Sequence, residues 1–356
     1  MSDLPISSDT AAFEVAAVRD AQGRLTEPCA RAARAMMATH GFVILTGLLS
    51  HAEADAGLAL VRAALDDPER SRCAFASQTD NRHRRRDFCA LPASPEVTAF
   101  AATLARRLED VLSAYCGREH PLLEVTTLTS YFGSSHQYIH RDPPGVISLF
   151  AALEDVSDAQ GGTVFVPGTQ PSGIAGRPHD PGTLALMDLA SIAWNWRILR
   201  HNLAKLWAMR GSTEAPLGPG ELRDRVFSTK WDEHQPNLLR FLIGKNPLFS
   251  LAMLTPPTLW RLWRHRAELR HRFRLVQTAP KKGTVILYQS DMLHAGPDNR
   301  SPAPRRLFSM SLARGPVTEK MWHSGYSPHP TLKERPMSFG DLLNHPAAQE
   351  IEPTWA

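Results

Sequence analysis

At 356 residues, with 43% apolar and 21% charged side chains, the chain can bury a sizeable core. Its net charge of +4, from 40 basic and 36 acidic residues, excludes a nucleic-acid-binding composition unless the charge is clustered. Four cysteines (Cys29, Cys73, Cys89 and Cys116) show no CxxC spacing, which excludes a zinc ribbon and a disulfide framework.

In chain order, residues 1–12 read as a disordered N-terminus without a signal peptide, and residues 13–356 as a single domain. Cys29–Met37, rich in Ala and Arg, predicts a helix running into Gly41–Leu49, a glycine-bounded apolar run that predicts a buried strand. His51–Leu65 predicts a second helix. The cluster Arg82-His83-Arg84-Arg85-Arg86 has no interleaved aromatics and reads as a solvated loop or helix end; the sharper alternative is a site for an anionic handle on a substrate. Ser94–Tyr115 predicts a third helix, with Val97, Phe100, Ala101, Leu104, Leu108 and Leu112 spaced by three and four.

From Leu122 the character changes. Leu123–Phe132, Gly145–Leu153, Gly162–Val166, Gly283–Tyr288 and Arg306–Leu312 are short strand-like runs separated by turn residues, which predicts an antiparallel barrel or jelly roll. Between them, about 184–273, lies a helical insertion with helical patterns over Leu184–Met209 and Phe249–Phe273; counting Trp231 between these, the span holds six of the eight tryptophans. These aromatics fit a local core; the functional alternatives are a lid over an apolar pocket or a homo- or hetero-dimer face. The longest apolar stretch, Phe241–Leu254, is interrupted by Gly244, Lys245, Asn246 and Pro247 and is too short to span a bilayer, so cytoplasm is the default location. The Pro-rich tail after Trp322 is expected to wrap the surface.

Two segments carry chemistry. His140 and Asp142 are two positions apart, so on an extended chain they share one side, and Pro143-Pro144-Gly145 places the pair at a strand mouth. His294 follows a predicted strand far downstream. Two imidazoles and one carboxylate with open positions suit Fe(II) in enzymes that activate oxygen. Arg305 lies eleven positions past His294 on the next strand, where a hairpin returns its guanidinium towards the metal to hold the far carboxylate of a chelating oxo-diacid. The bland reading of Arg305 and Arg306 is surface charge; strand neighbours alternate, so one of the two faces the other way, and spacing alone does not say which. Asp291 is a candidate for orienting a histidine ligand or for capping a turn.

These segments, together with Leu153-Glu154-Asp155-Val156 and the run Gly161-Gly162-Thr163-Val164-Phe165-Val166-Pro167-Gly168-Thr169, resemble the phytanoyl-CoA dioxygenase family of Fe(II)/2-oxoglutarate oxygenases. The resemblance covers about a third of the chain. It implies a mainly β core (double-stranded β-helix, or jelly roll) flanked by α-helices. It implies His140, Asp142 and His294 as iron ligands and Arg305 as the 2-oxoglutarate anchor, with Gln137 and Phe150 lining the co-substrate site. The cofactors are then Fe(II), 2-oxoglutarate and O2, the partner a small-molecule substrate, and the products succinate and CO2. Gln170 stands where similar proteins often carry His, and Gly296 where they often carry Ser; Tyr131 is a candidate replacement for that lost hydroxyl. The retained Asp142 favours hydroxylation over halogenation. Desaturation, cyclisation and epoxidation use the same iron site. A reading from another class is a non-catalytic jelly-roll subunit that pairs with a catalytic partner, which the intact triad and Arg305 disfavour.

Overall fold

A computed structural model describes residues 6–71, 86–174, 177–208, 255–317, 326 and 328–349. The elements in chain order are β1 (Ile6–Ser7), β2 (Glu14–Ala16), α1 (Glu27–His40), β3 (Phe42–Thr46), α2 (His51–Asp66), β4 (Arg86–Ala90), α3 (Pro95–Arg107), α4 (Glu109–Leu112), β5 (Leu122–Ser130), β6 (Val146–Ala152) and β7 (Val164–Phe165). They continue with α5 (Pro181–Ala208), α6 (Pro256–Arg264), α7 (Arg266–Arg272), β8 (Leu275–Gln277), β9 (Val285–Gln289), β10 (His294–Ala295), β11 (Arg305–Ala313), α8 (Pro330–Glu334), α9 (Phe339–Asn344) and α10 (Pro346–Gln349).

Local chemistry sets the helix ends. Ser50 and Glu53 form a reciprocal capping box that opens α2, Ser94 accepts from Val97 N to open α3, and Gly41 ends α1 at φ 83°, a conformation other residues resist. The expected single helix over Ser94–Tyr115 is interrupted at Leu108 (φ −99°, ψ 7°), with Arg106 and Glu109 ion-paired across the break.

The strands form two sheets. The larger is ordered β2-β3-β9-β6-β11-β5-β4 and the smaller β1-β8-β7-β10. Period two divides the larger sheet. One face (Val43, Leu45, Leu149, Leu287, Phe308 and Met310) packs under α1, α2 and α3. The other (Phe42, Ile44, Phe150, Ile286, Tyr288 and Leu307) meets Phe165 and Val276 of the smaller sheet. The Phe42 and Phe165 rings stack at 4.5 Å across that seam. The core is therefore a mainly β two-sheet sandwich with flanking helices, and α5, α6 and α7 lie between β7 and β8 along the chain.

Two sequence expectations are corrected. Residues 6–12 are ordered: Ile6 and Ser7 pair in parallel with Leu275 and Val276, so β1 extends the smaller sheet. The tail does not simply wrap the surface, because Tyr326 is buried among Leu123, Val146 and Ala313. Arg82 to Arg85, Trp231, Phe241–Leu254 and the start of the Phe249–Phe273 helix lie outside the described residues.

Candidate metal centre

The loop between β5 and β6 carries His140 and Asp142, and β10 carries His294. His140 and His294 are antiparallel bridge partners, each amide donating to the other's carbonyl at 3.0 Å, which sets their rings 4.6 Å apart. Asp142 N donates to Ser290 O at 3.0 Å, so the carboxylate enters from the same edge. His140 Nε2 lies 3.8 Å from Asp142 Oδ1 and His294 Nε2 3.4 Å from Asp142 Oδ2. All three candidate ligand atoms fall within 4.8 Å of one another.

The backbone fixes the imidazoles. His140 Nδ1 contacts Tyr138 O at 2.7 Å and His294 Nδ1 contacts Met292 O at 2.9 Å. A carbonyl accepts only, so Nδ1 must carry the proton and Nε2 keeps its lone pair facing the cluster, as a metal ligand requires. These carbonyls do the orienting work considered for Asp291. That residue is buried instead, its carboxyl pushed above the ordinary carboxylate range by desolvation.

The helix α5 braces the ligand loop. Asn202 accepts from His136 N and donates to His136 O, both at 2.9 Å, while Asn195 accepts from Ile139 N at 2.7 Å and donates to Ile139 O at 3.0 Å. Asparagines seven apart sit on one helix face, so α5 pairs with this loop as a neighbouring strand would. Sequence reading missed both residues, although two amides at that spacing in an apolar helix were a visible signal. Asn195→Ala or Asn202→Ala strips partners from a buried N–H and C=O, a cost of about 1–3 kcal/mol. Each is expected to raise amide hydrogen exchange across residues 136–139; unchanged protection would show the loop is held by other contacts.

Arg305 is buried and Arg306 is not fully so, and the two point apart as alternation requires. Arg306 pairs with Glu154 at 3.0 Å. Arg305 donates to Gly161 O, Gly162 O and Ser130 Oγ. Its Nε is buried without a hydrogen-bond partner. Burial first, then the neighbouring Arg86, pushes its pKa down to about 9, against a smaller opposing pull from Asp298. The guanidinium remains charged at neutral pH in a setting that favours an added anion.

Arg86 is the one described residue of the basic cluster, and at that position it corrects the solvated-loop reading. It begins β4 and is 0% exposed. Arg86, Ser130 and Arg305 are direct partners across β4, β5 and β11, so they form one rung. Both guanidiniums donate to Ser130 Oγ, Arg86 at 2.8 Å and Arg305 at 2.9 Å, and Arg86 also donates to Pro297 O at 2.9 Å. A charge so satisfied can be buried.

The remaining candidates separate. Gln137 Oε1 accepts from Gly296 N at 2.7 Å, tying it to the His294 segment. A Cβ at Gly296 would meet Gln137 Oε1 at 2.7 Å and Arg86 Nη1 at 3.0 Å, so a side chain there would shift one or both of these groups. Phe150 is on the inner face, 4.9 Å from the Tyr288 ring, which in turn lies 5.3 Å from His294. Tyr131 is not brought to the Arg305 rung. Its charged neighbours are Asp87, Arg306 and Arg70, on the opposite face, and Ser130 is the hydroxyl that reaches Arg305. Gln170 donates to Ala38 O in the last turn of α1 and to Gly173 O. Tyr288 and Tyr326 were missed; burial and then the Asp142 carboxylate push both phenols well above their ordinary value.

Among solved structures the chain is similar to SnoN, a non-haem alpha-ketoglutarate-dependent epimerase from nogalamycin biosynthesis, with 18% identity, 81% of this chain and 84% of that chain covered, and a TM-score of 0.44. It is similar to the carbocyclase SnoK from the same biosynthesis at 13% identity, with coverage of 89% and 92% and a TM-score of 0.46. It is also similar to HygX from Streptomyces hygroscopicus, solved with nickel and 2-oxoglutarate bound, at 14% identity, with coverage of 85% and 98% and a TM-score of 0.44. No family model matches the chain, the phytanoyl-CoA dioxygenase family included, and no curated protein matches it. Likenesses this remote leave the functional reading to the geometry of the centre itself.

Proposed function

We propose that this protein is an Fe(II)- and 2-oxoglutarate-dependent oxygenase that hydroxylates a small or medium-sized organic substrate. The observation that carries the reading is the convergence of His140 Nε2, His294 Nε2 and the Asp142 carboxylate within 4.8 Å, with both imidazole Nδ1 atoms occupied by backbone carbonyls. Two neutral imidazoles and a carboxylate on one face match the donor set and open geometry of a non-haem Fe(II) centre.

In this reading His140, Asp142 and His294 hold the iron, and Arg305 holds the far carboxylate of 2-oxoglutarate. When bound, Fe(II) and 2-oxoglutarate supply the oxidising chemistry with O2, releasing succinate and CO2. The protein's own contribution is positional. Tyr138 O and Met292 O keep the ligand nitrogens aimed inward, and the two asparagines of α5 hold the loop. Phe150, Phe165 and Tyr288 form an apolar wall that excludes water beside His294. Gln137 and Ser130 stand beside the co-substrate path, the first fixed to Gly296 and the second between two arginines.

The test is anaerobic calorimetry of 2-oxoglutarate binding with and without Fe(II), followed by succinate assay in air. Binding is expected to tighten by about tenfold or more when the metal is added, since the metal would add its attraction for the oxo-acid to that of Arg305, and succinate is expected only with both present. Equal affinity with and without the metal would sink the assignment.

A further inference from the structure

Away from the centre, α6 leaves an apolar stripe on the surface. Pro256, Leu259, Trp260 and Trp263 follow helical spacing, and no residue of α6 is buried. Leu259 is 50% exposed, Trp260 54% and Trp263 62%. Leu262, on the other side of the helix, packs against the cluster that holds Leu269 and Phe273. The helix is thus seated by one side and presents its larger aromatics outward.

Charge surrounds that stripe. Arg261, Arg264, Arg266, Arg270, Arg272 and Arg274 are all exposed, and Glu268 is the one acidic residue between Thr255 and Arg274. Across the packed pair, α5 adds Arg197 and Arg200. Arg197 has its pKa lowered by burial and then by Arg270 and Arg200, so guanidiniums from two helices crowd together. Eight arginines against one glutamate exceed the net charge of the whole chain, +4. Such self-repulsion is relieved by an anionic partner.

We propose that α6 and α7 dock this protein onto an anionic phospholipid surface. Trp260, Trp263 and Leu259 enter the boundary between headgroups and acyl chains, and the arginines lie among the phosphates. Arg264 sits over the Trp260 ring at 5.1 Å and Arg266 over the Trp263 ring at 4.9 Å, so each aromatic body is already layered with a guanidinium head. That layering matches the bilayer interface, where amphipathic rings and cations occupy adjacent depths. A nucleic acid fits less well, because base stacking needs the ring faces these arginines cover, and Leu259 and Pro256 find no counterpart on a polyanion. A second copy fits less well too, since it would bring a like-charged arginine patch onto this one. The docking is interfacial: no described helix is long and apolar enough to cross a membrane. It does not depend on the reading of the metal centre.

The experiment is flotation of the full-length protein with vesicles of phosphatidylcholine alone or mixed with phosphatidylglycerol, with tryptophan emission recorded alongside. The expected result is co-flotation with the mixed vesicles, a blue shift in emission, and loss of both at high salt. Trp260→Ser with Trp263→Ser is expected to abolish the blue shift. Arg261→Gln, Arg264→Gln and Arg266→Gln together are expected to weaken partition roughly a hundredfold, from about a fivefold loss per arginine at an anionic surface. Unchanged circular dichroism confirms that the variants fold, as these side chains are exposed. Three outcomes overturn the proposal: no flotation of the wild-type chain, equal flotation with neutral vesicles, or Trp260- and Trp263-dependent self-association or single-stranded DNA binding without vesicle binding.

Discussion

Asp142→Ala and His140→Ala are each expected to abolish 2-oxoglutarate-dependent succinate release. The site has three protein donors, and its lone pairs converge because the two histidines are direct bridge partners. Removing either residue leaves two donors and removes the three-sided face that would hold a metal. Losing even an outer partner of a metal ligand typically costs about 10–100-fold in affinity or activity, and losing a ligand itself costs more. Asp142 is the more informative position. Its carboxylate lies between the imidazoles, 3.8 Å from one Nε2 and 3.4 Å from the other, so it closes the cluster and would balance the charge of a bound cation. Metal content by mass spectrometry accompanies the assay. The expected pattern is loss of bound iron together with loss of succinate, at unchanged melting behaviour, because His140 and Asp142 are partly exposed and anchored by backbone bonds. Full turnover in either variant would remove these residues from the centre.

Much of this arrangement was readable from spacing. The strands β3, β6 and β9 are largely apolar on both faces because helices cover one side and the smaller sheet the other, so they appear as apolar runs opened by a glycine. His140 and Asp142 stood out because period two fixes which side chains of an extended segment can meet, and His294 because it follows a predicted strand. The parts that stayed hidden were either too short or too polar for periodicity. The strands β1, β8 and β10 have two or three residues, which carry no pattern at all. β4 reads Arg-Asp-Phe-Cys-Ala, which looks like a solvated segment, yet it is buried throughout. Its polarity is resolved only in three dimensions: Arg86 against Ser130 and carbonyls of the His294 segment, and Asp87 against Arg70 at 2.7 Å. The α5 asparagines belong to the same class, because a helix that hydrogen-bonds a distant loop leaves no local mark beyond two spaced amides. Tyr131 failed for the opposite reason: the residue one step from Ser130 looked equivalent in sequence, and alternation put it on the other face.

The same alternation makes the paired arginines the sharpest test of the co-substrate assignment. Arg305→Ala is expected to raise the 2-oxoglutarate requirement by about thirtyfold or more, from the roughly 2–5 kcal/mol lost when one member of a buried charge pair is truncated. Arg306→Ala is expected to change it by less than about fivefold, since a part-exposed pair such as Arg306–Glu154 contributes about 0–1 kcal/mol. Stability is also expected to fall more at Arg305, because its removal strips a partner from the buried Gly161 O, Gly162 O and Ser130 Oγ, a cost of about 1–3 kcal/mol. Titration of 2-oxoglutarate against the Fe(II)-loaded variants, with thermal melts of each, reads both quantities. A larger effect at Arg306 would move the anchor to the other face of β11 and, with it, the co-substrate out of the cup that holds His294.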